Sequence, residues 1–274
     1  MRVQRSRKSE VRPLCPLTLS APVVYIGVMA VTLITGASSG IGRQLARRLA
    51  AQGHPIALAA RRMDLLESLA EEIRGEKGCA VPLECDVTDP AQVTDAVRQA
   101  EAALGPVERL ICSAGGGEKT RIEAFSADHV QRVIALNVGG TANCIEALLP
   151  GMLGRGRGQI VIIGSLAAYR GLPGAAAYCA AKAALSALME GLRVDLARRG
   201  IIVTLLMPGF VHTDPEKKRK PLALSLDAAT ERMARAIDAG KLYDAFPWSL
   251  RLPLVLLRIA PAPLADRLLR ALLH

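Results

Sequence analysis

Three side chains suited to proton transfer lie close together in the sequence. Tyr178 and Lys182 are four residues apart, and Ser165 lies 13 residues before Tyr178. On a helix the phenol and the ammonium would share one face, because side chains at i and i+4 are neighbours. A nearby cation favours an ionised phenol, so we expect Lys182 to draw the pKa of Tyr178 from about 10 toward neutrality. Such a tyrosine suits general acid–base chemistry, although this spacing alone is common on ordinary helix faces.

A glycine-rich segment lies between a predicted strand and a predicted helix. Val31–Ile34 has the composition of a buried strand, Thr35–Gly42 reads Thr-Gly-Ala-Ser-Ser-Gly-Ile-Gly, and Ile41, Leu45 and Leu49 then recur at helical spacing. Strand, turn and helix in this order predict a site for the pyrophosphate of a dinucleotide at the helix N-terminus. The candidate contacts are Gly36, Ser38, Ser39, Gly40, Ile41 and Gly42.

These segments together resemble the short-chain dehydrogenase/reductase family, from about residue 30 to about residue 239. Four further stretches match the family's motifs in the same order: Asp86-Val87, Ser113-Ala114-Gly115, Asn137, and the run Pro208-Gly209-Phe210-Val211-His212-Thr213. The resemblance implies that Asp86 and Val87 contact the adenine and that Ala114 and Gly115 line the cofactor site. It also implies that Pro208, Gly209, Val211 and Thr213 lie beside the nicotinamide.

The resemblance assigns a role to each candidate catalytic residue. Tyr178 would exchange a proton with the substrate oxygen, which Ser165 would hydrogen-bond. Lys182 would lower the phenol pKa and bind the ribose hydroxyls, and Asn137 would carry a water that relays the proton. Ser165 as a turn residue and Asn137 as a backbone partner at a helix irregularity are the plainer alternatives. Cys112 and Ser113 replace two asparagines of the family pattern, for which we expect a small structural cost.

Apolar segments of strand and helix type alternate along the chain, which predicts an α/β fold with a doubly wound, Rossmann-like parallel sheet. Strands are predicted near 30–35, 56–60, 79–84, 107–112, 159–164 and 201–207, and helices near 41–52, 63–74, 90–104, 127–152, 177–199 and 227–239. We expect a single catalytic domain over residues 29–240, preceded by an extension over 1–28 and followed by an apolar helical tail over 241–274.

The end of the second strand predicts the cofactor. An acidic residue there would bind a ribose 2′-hydroxyl and select NAD. Instead the sequence has Ala60 followed by Arg61 and Arg62, and a guanidinium can grip a 2′-phosphate. We therefore expect NADP(H), with Arg61 as the main contact and Ser38 as a second. A solvated helix start is the alternative role for either arginine.

Three functions are compatible with these residues. The favoured one is hydride transfer between NADPH and a ketone or secondary alcohol, with a lipophilic substrate indicated by the leucine-rich tail. A 3-oxoacyl-thioester reductase is an alternative, for which the basic run Lys217-Lys218-Arg219-Lys220 would bind an anionic handle. A non-catalytic NADP-binding redox sensor is the third, and the presence of Tyr178 and Lys182 argues against it.

The two ends of the chain have unusual compositions. Residues 1–28 begin with basic residues and continue through prolines, which superficially resembles a signal sequence; we expect neither cleavage nor export. The tail has leucines and arginines at helical spacing, which is typical of an interfacial amphipathic helix. A cover over the substrate cleft and a subunit interface are the alternatives for the tail.

Composition limits the remaining partners. The net charge is +10, but the basic residues are dispersed and aromatic residues are few, so we expect no nucleic-acid partner. Six cysteines without C-x-x-C spacing indicate a reducing compartment, and four scattered histidines indicate no metal site. The family resemblance implies a homodimer or homotetramer. We expect a cytoplasmic protein, with attachment to the inner membrane surface through the tail as an alternative.

Overall fold

A parallel sheet forms the centre of the protein in a computed structural model that describes residues 29–213 and 222–273. The strands are β1 (Thr32–Thr35), β2 (Ile56–Ala60), β3 (Ala80–Glu84), β4 (Arg109–Cys112), β5 (Gly158–Ile163), β6 (Ile201–Pro208), β7 (Val211–His212), β8 (Leu224–Ser225) and β9 (Tyr243–Phe246). Seven of them form the sheet, in the order β3-β2-β1-β4-β5-β6-β9, and β7 pairs with β8. The predicted doubly wound α/β sheet is confirmed.

Helices cover both faces of the sheet. They are α1 (Gly40–Ala51), α2 (Met63–Gly75), α3 (Pro90–Leu104), α4 (Ala127–Ile134), α5 (Gly140–Arg155), α6 (Ala176–Ala197), α7 (Leu226–Asp238), α8 (Trp248–Ile259) and α9 (Ala262–Leu273). Residues of α1, α2 and α7 form the core on one face, and residues of α3, α5 and α6 form it on the other. β1, β2, β4 and β5 are buried along their whole length, as continuous apolar strands between two helical layers should be.

The helix predicted over 127–152 is interrupted in its middle. A π-helical turn at Ala135–Gly139 separates α4 from α5, and Thr141 donates a side-chain hydrogen bond to the Asn137 carbonyl at 2.7 Å. The whole segment Ala127–Arg155 is long and apolar enough, by length and composition, to cross a membrane. Leu148 and Met152 on it are buried against the sheet, which identifies it as a core helix.

The predicted end of the core at residue 240 is wrong, because β9 lies beyond it. β9 pairs with β6, and Phe246 at its end is fully buried. Asp244 accepts two hydrogen bonds from Arg232, at 2.8 and 2.7 Å, so the strand carries a neutralised carboxylate. Only α8 and α9 remain as a tail. The predicted extension over 1–28 and the basic run over 217–220 lie outside the described residues.

Candidate active site

A cavity of about 450 Å³ lies at the carboxyl ends of the sheet strands. The strand order reverses between β1 and β4, which is where doubly wound sheets open a crevice for ligands. The predicted site residues that line it are Gly36, Ser38, Ser39, Gly40, Ile41, Arg61, Arg62, Asp86, Val87, Ala114, Gly115, Ser165, Tyr178, Lys182, Pro208, Gly209, Val211 and Thr213. The structure therefore brings together segments separated by more than a hundred residues of sequence.

Gly42 does not line the cavity, contrary to the prediction that it binds the cofactor. A Cβ atom on Gly42 would lie 2.4 Å from the carbonyl oxygen of Gly36, so this glycine allows α1 to begin directly against the turn. Gly36 has a φ of +66°, and a Cβ there would lie 2.7 Å from the backbone nitrogen of Ala114. Only a residue without a side chain permits both contacts.

The turns after β1 and β4 are joined by one hydroxyl. Thr35 Oγ1 accepts hydrogen bonds from the backbone N–H groups of Ser113 and Ala114, each at 3.2 Å. This contact connects the two halves of the sheet where the family's asparagines are replaced by Cys112 and Ser113. Cys112 is buried, so the substitution leaves the end of β4 inside the core.

One end of the cavity is lined by cations and hydroxyls. Arg62 Nη2 donates hydrogen bonds to Ser38 Oγ at 2.8 Å and to Ser39 Oγ at 3.0 Å. The side chain of Arg61 is 75% exposed, and its Nη1 lies 3.9 Å from Asp86 Oδ2. Arg62 thus stays at the phosphate-binding turn while Arg61 extends toward solvent. Ala60 also lines this end of the cavity, so the position where an acidic residue would select NAD has no carboxylate.

The hydroxyl and the phenol lie at the other end of the cavity. Ser165 follows β5, and its Oγ accepts a hydrogen bond from the N–H of Ala167 at 3.1 Å. Tyr178 lies in the first turn of α6. Burial raises the pKa of Tyr178 above its usual value of 10, and the nearby Ser165 hydroxyl opposes that rise. The phenol therefore carries its proton at neutral pH.

Lys182 does not lower the pKa of Tyr178, contrary to our expectation from sequence. Its Nζ donates a hydrogen bond to the carbonyl oxygen of Ile163 at 3.0 Å and lies 5.6 Å from the centre of the Tyr178 ring. Lys182 is only 5% exposed, and burial lowers its pKa to about 8. Burial disfavours the charged form of both groups, and its effect on their pKa values is larger than that of the attraction between a phenolate and an ammonium.

Asn137 lies behind the cavity instead of lining it. Its Nδ2 donates to the carbonyl oxygens of Gly116 at 2.7 Å and Val133 at 2.9 Å, and its Oδ1 accepts from the N–H of Gly116 at 3.2 Å. A Cβ on Gly115 would meet Asn137 Oδ1 at 2.7 Å and Lys182 Nζ at 3.3 Å. Asn137 therefore holds the turn that lies against Lys182, which matches the plainer alternative of a backbone partner at a helix irregularity.

Seven further lining residues were missed by sequence reasoning: Ala60, Cys85, Ser113, Gly116, Leu136, Ile163 and Gly164. All but one of them lie within two residues of a predicted site residue at the carboxyl end of a strand, which is the signal that would have found them. Leu136 is the exception, since only the π-helical turn brings it to the cavity.

The residues present fit a nicotinamide dinucleotide. A glycine turn leads directly into α1, whose N-terminal N–H groups suit a pyrophosphate. Cations and hydroxyls lie at one end of the cavity, and a serine, a tyrosine and a lysine lie at the other. A model of the short chain dehydrogenase family matches residues 30–222. The chain belongs to this family. That membership confirms the predicted family resemblance and makes the chain a hydride-transferring oxidoreductase.

Known relatives cover most of the chain. An uncharacterized oxidoreductase from Myxococcus xanthus is 38% identical over 243 residues, which is 88% of this chain and 96% of the relative. A 2-dehydro-3-deoxy-L-rhamnonate dehydrogenase (NAD(+)) from a Sphingomonas species is 38% identical over 67% of this chain and 72% of its own. A gluconate 5-dehydrogenase from Burkholderia cenocepacia, solved with NADP and tartrate, has a TM-score of 0.72 at 28% identity and covers 79% of this chain and 93% of its own.

Asn137→Ala should destabilise the protein by roughly 2–4 kcal/mol, because it leaves both backbone groups of Gly116 and the carbonyl of Val133 without their partner. Asn143→Ala is the comparison, since it removes a single hydrogen bond to the Val87 carbonyl. Urea unfolding of both variants measures the difference. An equal loss in the two would show that the Gly116 contacts contribute little.

The unfolding free energy should depend on pH through Lys182. Its pKa is about 8 in the folded protein and 10.5 ordinarily, so between these values the unfolded chain binds more protons. Stability therefore rises with pH across this window. From about pH 7.5 to about pH 9.5 the wild type should gain about 2 kcal/mol relative to Lys182→Met. Urea unfolding at the two pH values tests this, and parallel changes in both proteins would contradict it.

Proposed function

We propose that this protein reduces a ketone to a secondary alcohol with NADPH, and that Tyr178 supplies the proton. The observation that carries the proposal is the meeting of Ser165, Tyr178 and Lys182 in the same cavity as the glycine turn. A dinucleotide bound there would supply the hydride. The chain itself would orient the carbonyl and supply the proton.

The protonation state of Tyr178 suits the role of proton donor in the reductive direction. A phenol whose pKa is raised by burial keeps its proton at neutral pH and is ready to donate it to an oxygen that gains negative charge. Ser165 lines the same cavity as Tyr178, so its hydroxyl is a second candidate donor to that oxygen.

Lys182 would act by position and by charge. Its hydrogen bond to the Ile163 carbonyl connects α6 to the end of β5, from which Ser165 follows. The serine and the tyrosine are thereby held in one arrangement. Because the pKa of Lys182 is about 8, its ammonium is mostly charged at neutral pH, and an anionic or hydroxylic ligand would stabilise that charge further.

The preference for NADPH is supported by the residues around Ser38. Arg62 is held between Ser38 and Ser39, and Ala60 stands where a carboxylate would repel a 2′-phosphate. We propose Arg62 as the main phosphate contact, in place of the more exposed Arg61 that the sequence favoured. The relatives include one named for NAD(+) and one solved with NADP, so support comes from this chain's own residues.

A lipophilic substrate is supported by the apolar wall that α8 adds beside the cavity. A Cβ on Gly209 would lie 2.8 Å from Leu250 Cδ1, so α8 packs against the segment that lines the nicotinamide end of the cavity. Leu250 itself is only half-buried. An acyl chain or a ring next to the reacting carbonyl would contact hydrocarbon there.

Tyr178→Phe should lower kcat for ketone reduction by roughly 10²–10⁴-fold, because the proton donor is lost, while NADPH still binds. Tyr243→Phe is the matched control, since its hydroxyl contacts Tyr169 away from the cavity. NADPH oxidation with ketones of graded chain length, and NADPH binding by fluorescence, are the measurements. A wild type that binds NADPH but reduces none of a broad carbonyl panel would favour the redox sensor.

Arg62→Ala should raise the KM for NADPH by roughly 10–100-fold and leave the KM for NADH nearly unchanged, because a charge-assisted contact to the 2′-phosphate is lost. Arg61→Ala should have a much smaller effect, since that side chain is 75% exposed. Steady-state kinetics with both cofactors distinguishes the two arginines. A larger effect from Arg61→Ala would restore the assignment made from sequence, and no effect from either would remove the NADPH preference.

A further inference from the structure

Helix α8 is apolar on two opposite sides, and only one side is covered. Leu250, Leu254 and Leu257 pack against the body of the protein and α9. On the other side, Trp248 and Ile259 are each 75% exposed, and Leu252 and Leu256 are 52% and 53% exposed. Their spacing of four, four and three residues places them on a single stripe. An apolar face of a helix is normally covered by other parts of a protein or by lipid, and the exposed face of α8 has no such cover among the described residues.

Helix α9 continues the exposed apolar surface. Ala265 and Leu269 are buried together with Leu257, whereas the neighbouring Leu264 and Leu268 are 51% and 45% exposed. We use the name tail surface for the exposed side chains of both helices, which are Trp248, Leu252, Leu256, Ile259, Leu264 and Leu268. Six large apolar side chains on two consecutive helices exceed the scattered exposure of an ordinary protein surface.

The charges of the two helices identify the partner. Arg267 and Arg270 of α9 are exposed, whereas the one acidic residue of the two helices, Asp266, is paired with Arg170 at 2.7 Å. A second copy of the chain related by a two-fold axis would bring two surfaces of the same positive charge together. An anionic lipid surface accepts the guanidinium groups at its headgroups and the apolar side chains at its acyl boundary.

The tail is fastened to the body, so the tail surface has a fixed orientation. Arg258 Nη1 donates to the carbonyl oxygen of Tyr169 at 3.1 Å, and the Arg251 guanidinium lies 5.8 Å from the centre of the Tyr243 ring. Tyr169 and Tyr243 contact each other through their hydroxyls. Trp248 opens α8, and a tryptophan at that end suits the depth of the lipid headgroups.

We propose that the tail surface docks the protein onto an anionic lipid bilayer, with α8 and α9 lying in the plane of the interface. The catalytic cavity would then open next to the membrane, because Leu250 of α8 borders it at Gly209. The docking itself requires no catalysis, so its test is independent of the proposed reaction.

The test is sedimentation of the full-length protein with vesicles of phosphatidylcholine alone or of an equal mixture with phosphatidylglycerol. The native protein should bind the mixed vesicles and release them at high salt. Leu252→Ser/Leu256→Ser should weaken binding by about tenfold or more. The matched control, Leu153→Ser/Leu242→Ser, replaces two exposed leucines outside the tail and should bind as the native protein does. Arg267→Gln/Arg270→Gln should weaken binding by roughly fivefold per arginine.

Four results would overturn the proposal. They are an absence of vesicle binding by the native protein, equal binding to neutral and anionic vesicles, native-like binding by Leu252→Ser/Leu256→Ser, and equal losses in that variant and its control. Sedimentation velocity of the same variants tests whether a second copy of the chain, instead of a lipid bilayer, covers the tail surface. A smaller assembly for Leu252→Ser/Leu256→Ser alone would assign the tail surface to a second copy. Thermal unfolding of each variant verifies that it is folded.

Discussion

The contact between the turns after β1 and β4 is the constraint on which the rest of the site depends. Thr35 Oγ1 binds two backbone N–H groups of the second turn, and Gly36 approaches Ala114 too closely for any side chain. The first turn carries the residues predicted to bind the cofactor phosphates, and the second lies against Asn137 and Lys182. The cofactor end and the proton-transfer end of the cavity therefore share one rigid junction at the reversal of strand order.

Burial, more than pairing, controls the electrostatics at the proton-transfer end. Tyr178 and Lys182 are neighbours on α6, yet burial shifts the pKa of each toward its neutral form. Lys182 keeps one hydrogen bond, to a carbonyl of the sheet, and this bond fixes its position at the end of β5. An apolar surrounding that penalises charge also makes each remaining polar contact stronger, which is the setting in which a charge-stabilising site works best.

β9, the edge strand next to β6, connects the tail helices to the central sheet. β9 extends the sheet beyond β6, and α8 starts two residues after it. Asp244 of this strand is paired with Arg232 of α7, and the pairing offsets the free-energy cost of burying the carboxylate. Leu250 then lies over Gly209 at the rim of the cavity. The tail surface and the catalytic cavity are thus held by adjacent parts of one sheet, and any partner of the tail would stand close to the substrate entrance.

Local patterns in the sequence were sufficient for most of the fold. Six strands and most helices follow from apolar runs and helical spacing, because burial on one or two faces imposes these periods directly. β9 was missed because it contains an aspartate, whose burial is compensated by the pairing with Arg232. A helix irregularity at Asn137 was among the alternatives, but its π-helical form was not predicted, because a single inserted residue leaves the surrounding helical pattern largely unchanged.

For the site, the sequence by itself determined most of the residues that line the cavity, since glycine turns and strand ends are marked by local composition. Tertiary structure alone decided what those residues do to one another. It turned Asn137 toward the Gly116 backbone, placed Arg62 instead of Arg61 against Ser38, and raised the pKa of Tyr178 where the spacing had suggested the reverse. The physical reason is that hydrogen-bond partners and desolvation depend on atoms from distant segments, and sequence spacing does not record the distances between those atoms.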